Sequence, residues 1–228
     1  MRRRGSRLRV SQTLDISGLQ SYYKLNGNGD DSIGIKNAET INAVTYQAGS
    51  SGSEAIFNGS PSYVKLPAQI VGPVFPLSIV SFSGFITTNS EATISRFLTL
   101  NGGVFGIYVS LRTNSDGGKL SIAINTSINT TLTTNNITLT NRNFIVVTIN
   151  KNGFVKLYIN GILDVSMLLD SNTGGYITPS PANYLGAARN GTLNLSGKME
   201  DWGFWNVELT QERVTAISNH QISGNELI

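Results

Sequence analysis

The chain has 228 residues, of which only 14% are charged, well below the roughly 25% of an average globular protein; 24 glycines and abundant Asn, Ser and Thr supply the polarity instead. That length fits one all-β domain with a sizeable core, and a polar, charge-poor surface is the balance of virion and extracellular β-proteins. No cysteine is present, which excludes disulfides, thiolate metal sites and cysteine nucleophiles and leaves the redox compartment open.

Charge is unevenly placed. Five of the 17 basic residues, Arg2, Arg3, Arg4, Arg7 and Arg9, fall within the first ten positions, so the remaining 12 face 14 acidic side chains and the body is slightly acidic. Residues 1–12 therefore read as a basic, flexible arm, suited to nucleic-acid phosphates, to an acidic protein surface, or to simple solvation. The following "VSQTLDISGLQSYY" lacks the apolar run of about 7–15 residues that a signal peptide needs, and no later run approaches the roughly 18 of a membrane span. The expectation is a chain not routed through a secretory membrane.

Residues 13–228 read as one domain. "DISGLQSYYKL" is a short mixed segment and "NGNGDDSIG" a loop by its Asn, Gly and Asp content. Beyond Gly59 strand patterns follow one another: "LSIVSFSGFIT" (77–87), "TISRFLTL" (93–100), "VFGIYVSLR" (104–112) and "KLSIAIN" (119–125) alternate with period 2 or are rich in β-branched and aromatic residues. The Thr-rich run through 128–141 predicts an exposed edge strand plus loop, because Ile and Leu recur in it at strand spacing. Asn-x-Ser/Thr triplets in and just before it, at Asn125, Asn129 and Asn136, are read as composition rather than glycosylation sites. Residues 143–168 predict a three-strand antiparallel meander, with Asn152-Gly153 and Asn160-Gly161 at its tight turns. One helix is predicted from "LTQERVTAISNH", with Thr210 as N-cap, Glu212 in the first turn and Val214 and Ile217 at helical spacing.

A set of motifs in fixed order carries a resemblance: "YYKLNGNGDDSIG" (22–34), "AIFNGSPSYVKLP" (55–67), "FSGFITT" (82–88), "VKLYINGILDVS" (155–166), "YLGAA" (184–188) and "GKMEDWGFWNVELTQERV" (197–214). Over roughly residues 21–220 the chain resembles laminin-G-like domains of the concanavalin A-like lectin/glucanase superfamily. The resemblance implies a two-sheet antiparallel jelly-roll sandwich, all-β apart from one short C-terminal helix, with the segment around 197–206 as a late strand near the N-terminal one.

Strict alternation along that late strand places Glu200, Trp202 and Phe204 on one face and Asp201, Gly203 and Trp205 on the other. Trp202 and Phe204 are then core residues, and Trp205 is the exposed or loop-covered ring. With Tyr108, Tyr158 and Tyr176 it makes up a candidate aromatic platform for a carbohydrate. Asp30, Asp31, Glu200 and Asp201 offer the hard oxygen ligands that Ca²⁺ uses, and many laminin-G-like domains resemble calcium-assisted binders, so Ca²⁺ is the one cofactor considered.

No catalytic constellation is found. Glucanases of the superfamily that the chain resembles carry Glu-x-Asp-x-x-Glu, which spaces two carboxyls for retaining chemistry; here Trp202 and Trp205 stand at the steps after Glu200. His220, the single histidine, ends the predicted helix without a nucleophile motif, and "GNGDDSIG" has Ser32 in place of the third glycine of a dinucleotide fingerprint. The expected protein is a non-catalytic structural or binding module, in first place a bacteriophage virion protein (decoration, fibre or attachment) that docks through its arm to virion partners or a second copy and binds surface glycans. The alternatives are an extracellular or cell-surface adhesin domain, and a capsid protein whose arm binds nucleic acid.

Overall fold

The computed structural model describes residues 13–50, 52–71, 79–90, 95–100, 108–113, 119–125, 129–135, 137–150, 153–169, 182–188 and 191–228, with the side chains of 108–111, 125, 129 and 130 excepted. The basic arm, Tyr176 and Asn152 lie outside the described residues.

Among the described residues, fifteen strands and one helix follow in chain order: β1 (Leu19–Tyr23), β2 (Thr40–Asn42), β3 (Val44–Gly49), β4 (Gly52–Asn58), β5 (Tyr63–Leu66), β6 (Ile79–Thr88), β7 (Arg96–Leu100), β8 (Tyr108–Thr113), β9 (Leu120–Asn125), β10 (Asn129–Thr133), β11 (Asn143–Asn150), β12 (Phe154–Ile159), β13 (Ile162–Leu168), β14 (Asn183–Leu185), β15 (Ser196–Trp205) and α1 (Gln211–Ile222). They form two antiparallel sheets. The first runs β13-β12-β11-β6-β15-β4-β3 with β1 added on β15, and the second runs β10-β9-β8-β7-β14-β5-β2. This is the jelly-roll-like sandwich that the motif order implied. β10 stands at an edge of its sheet, where the Thr-rich run was expected, and β11 to β13 form the expected meander. At its second turn Asn160 and Gly161 adopt φ of 51° and 87°, the left-handed pair that matches the twist of a tight hairpin. Strands β2 to β4 precede the region where strand patterns were expected; β3 has only exposed or half-buried residues, so it carries little apolar alternation to read.

The sheets bury one apolar layer between them. From the first sheet come Phe57, Val80, Phe82, Ile145, Val147, Leu157, Met199, Trp202 and Phe204, and from the second Val64, Leu66, Leu98, Ile122, Ile124 and Leu185. A second, smaller core lies on the outer face of the first sheet, where Tyr22, Phe85, Phe144, Val146, Tyr158 and Trp205 meet Leu209, Val214, Ile217 and Leu227. The helix covers that face. Its N-cap is Thr210, whose side chain accepts from the Arg213 N–H as predicted, and His220 in its last turn hydrogen-bonds the Glu226 carbonyl at 2.8 Å.

One irregularity decides which face each residue of β15 serves. The register against β6 slips between Glu200 and Gly203, and Asp201 sits at φ 58°. This is a β-bulge, one extra residue that breaks the period of 2. Met199 points into the main core, while Glu200 pairs with Phe85 on the outer face and Asp201 meets Tyr22 there too. Trp202 and Phe204 return to the main core, and Trp205 faces outward again. Strict alternation had put Glu200 with Trp202 and apart from Asp201; the bulge puts both acids on the helix-covered side.

Candidate functional site: an exposed tyrosine face

Two of the four expected platform rings are interior. Trp205 is 0% exposed; its ring lies so close over Gly203 that a Cβ added there would sit 2.6 Å from it, and α1 closes over it from the other side. It is therefore neither exposed nor merely loop-covered. Tyr158 is buried in the same core. Tyr108 lies on β8 opposite Asn125, and its side chain, like Tyr176, is outside the described residues.

The four acids do not come together as one group either. The Asp31 carboxylate accepts backbone N–H groups of Tyr22, Ile33 and Lys36 at 2.9, 3.1 and 3.3 Å, while the Asp31 N–H donates to Asn37 Oδ1. It shapes its own loop, as short acids commonly do in turns. Asp30 is exposed and accepts from Asn28 Nδ2. Glu200 takes the Nε–H of Arg142. Asp201 accepts the Tyr22 hydroxyl at 2.7 Å, and that hydroxyl in turn accepts from Gln221 Nε2 and the Leu227 N–H, which ties the C-terminal tail to β1 and β15. Burial above all, and then the Asp201 charge, hold the Tyr22 phenol well above its ordinary pKa. Among the described residues no group of three or more acidic or histidine side chains is placed to hold a metal ion.

A different set of residues converges on the outer face of the second sheet. On β5 the order Tyr63-Val64-Lys65-Leu66 alternates, with Val64 and Leu66 in the core and Tyr63 and Lys65 half-buried on the other side. β14 pairs with β5 so that Tyr184 is opposite Lys65, which makes Tyr184 and Tyr63 diagonal neighbours. Their rings meet edge to face, centroids 5.5 Å apart at 84°. Lys65 also pairs with Thr40 on the edge strand β2, and its ammonium bonds Glu39 at 2.7 Å, with side-chain exposures of 29% and 40%. That hydrogen bond first, against some desolvation, and then the Glu39 charge with smaller contributions from Tyr184 and Tyr63 raise the Lys65 pKa. Lys65 is in register with Tyr184 and two residues from Tyr63 on the same face of β5. Half-exposed rings beside a donor and an acceptor can bind a ligand that has apolar faces and a hydroxyl rim. Tyr63, Lys65 and Tyr184 lie in two of the quoted motifs, "AIFNGSPSYVKLP" and "YLGAA", but nothing local to either shows that strands some 120 positions apart in the chain are neighbours.

Several solved structures share this architecture. Domain 4 of AbnA, a GH43 extracellular arabinanase from Geobacillus stearothermophilus, solved in complex with arabinotriose, aligns with a TM-score of 0.71 at 19% identity, covering 88% of this chain and 98% of that one. The receptor binding domain of botulinum neurotoxin D (TM-score 0.67, 14% identity, 90% of this chain) and the binding domain of Paraclostridial Mosquitocidal Protein 1 (TM-score 0.67, 16% identity, 90% of this chain) are also similar. The chain spans about half the length of these two toxin domains, 53% and 52%. At such identities the likeness is one of fold. No curated protein matches the sequence. Residues 58–215 match the laminin G family model described as the concanavalin A-like lectin/glucanases superfamily, and the chain belongs to that family.

Proposed function

We propose that the protein is a non-catalytic glycan-binding module of a virion, with the Tyr63–Tyr184 face as its ligand site and the arginine arm as its anchor. The observation that carries the glycan reading is the half-exposed tyrosine pair beside the Lys65–Glu39 ion pair. Aromatic rings with a few convergent polar groups are the usual make-up of a small-ligand site. The fold supports it, since two structural neighbours are named as binding domains and a third, a domain of an arabinanase, was solved in complex with arabinotriose. The buried carboxylates of β15, Glu200 and Asp201, are bonded to Arg142 and Tyr22. Five arginines within ten residues, on a body that is otherwise slightly acidic, support the anchor and the virion setting.

A glycan array of the purified chain, in calcium and in chelator, tests the site. Binding to a defined oligosaccharide is expected in both buffers, and Tyr184→Ala is expected to weaken it about tenfold or more, as loss of a central aromatic anchor commonly does. Binding lost in chelator would bring Ca²⁺ into the site. Full retention in Tyr184→Ala would overturn the choice of face. Deleting residues 1–10 tests the anchor: the shortened chain is expected to keep its urea midpoint and its glycan binding but to lose incorporation into particles. Steeply salt-dependent binding of nucleic acid by the arm would instead favour a packaging role.

A further inference from the structure

Glu39 gives the tyrosine face a selectivity that the rings alone do not supply, an inference that rests on reading that face as a glycan site. Lys65 is the cation beside both rings, and its ammonium is already bonded to Glu39 at 2.7 Å. Glu39 is held in place: its N–H donates to the Lys65 carbonyl at 2.8 Å, and the next residue, Thr40, is in register with Lys65. The Glu39 backbone is thereby fixed beside Lys65, which keeps the carboxylate within reach of the ammonium. A sugar hydroxyl suits this pair, because one hydroxyl can accept from the ammonium and donate to the carboxylate at the same time. A sugar carboxylate does not. It would have to displace Glu39 from Lys65 and would then stand beside a second negative charge, and juxtaposed like charges are a standard means of rejecting the wrong partner.

We propose that Glu39 is a specificity-determining residue that restricts the Tyr63–Tyr184 face to neutral oligosaccharides and excludes sialylated or uronic-acid sugars. Removing its charge while keeping its shape frees the Lys65 ammonium for an anionic sugar.

The test compares the full chain with Glu39→Gln on matched probes: lactose against sialyllactose, and arabinotriose against a galacturonic acid trimer. The wild-type chain is expected to bind a neutral probe at least tenfold better than its acidic counterpart. Glu39→Gln is expected to weaken neutral binding severalfold, because the hydroxyl loses its charged acceptor, and to raise acidic binding about tenfold, so that the neutral-to-acidic ratio falls; the acidic gain shrinks with added salt because the contact is surface-exposed. A wild-type preference for the acidic member, or an unchanged neutral-to-acidic ratio in Glu39→Gln, overturns the role of Glu39 while leaving the glycan site standing. Failure of both proteins to bind any probe or any array glycan, with urea midpoints intact, overturns the glycan reading itself and this inference with it.

Discussion

Replacing Trp202 by alanine is expected to lower stability by about 3–5 kcal/mol, the usual cost of deleting a fully buried large aromatic side chain. The indole is 0% exposed and lies between the sheets against Phe82 and Phe204, with ring centroids 6.4 and 6.3 Å away. It also lies against Gly84 on the neighbouring strand, where an added Cβ would stand 2.6 Å from two ring atoms. Glycine at position 84 thus serves close approach rather than a special backbone angle. Two measurements check this account together. Trp202→Ala should shift the urea midpoint without a change in the slope that reports exposed surface. Gly84→Ala alone should cost about 1–3 kcal/mol by overpacking, and almost nothing when Trp202 is already alanine, since the methyl then enters vacated space. Equal costs of Gly84→Ala in the two backgrounds would show that the two residues are not in contact. Trp202→Phe should cost less than alanine: the indole Nε1 has no hydrogen-bond partner among the described residues, so phenylalanine forfeits area and no bond.

Those two residues also show what the sequence made legible. Alternation along 77–87 and 143–168, the Asn-Gly turn at 160–161 and the capped helix were readable because each is set by neighbours in the chain. Together with the order of motifs they were enough for the sandwich and for the core role of Trp202 and Phe204. Alternation failed at Asp201, where a residue that is not glycine takes φ 58°. No composition signal marks that position, and one extra residue was enough to reverse the face of Glu200 relative to Trp202. Trp205 was misplaced for a different reason. Its outward direction was read correctly, but an outward ring is exposed only if nothing covers the sheet. Val214 and Ile217 did predict a buried stripe on the helix, while the face that this stripe meets is fixed by tertiary packing. The tyrosine pair was missed through topology: Tyr63 and Tyr184 lie in motifs far apart in the chain, and their rings meet only because β14 inserts between β5 and β7.

The second large effect belongs to the acid whose face the bulge changed. Arg142, just ahead of β11, reaches along the outer face of the first sheet, where its guanidinium carbon lies 3.2 Å from the centroid of the Phe85 ring and its Nε–H bonds Glu200. Glu200 is the cross-strand partner of Phe85, and its side chain is only 3% exposed. Arg142→Ala is therefore expected to cost about 3 kcal/mol or somewhat more, because it leaves a nearly buried carboxylate without the cation that offsets its desolvation and also removes a cation–π contact of about 0.5–2 kcal/mol. Arg142→Lys should recover only part of this, since an ammonium restores the charge but not the planar contact with the ring. The informative variant is the double substitution Arg142→Ala with Glu200→Gln. A neutral amide does not need the cation, so the pair together should be more stable than Arg142→Ala alone by about 1–2 kcal/mol, measured by urea unfolding at neutral pH. If Arg142→Ala costs less than about 1 kcal/mol and Glu200→Gln gives no recovery, the pair behaves as an ordinary surface ion pair, and the burial of Glu200 beside the bulge does not have the energetic consequence argued for it.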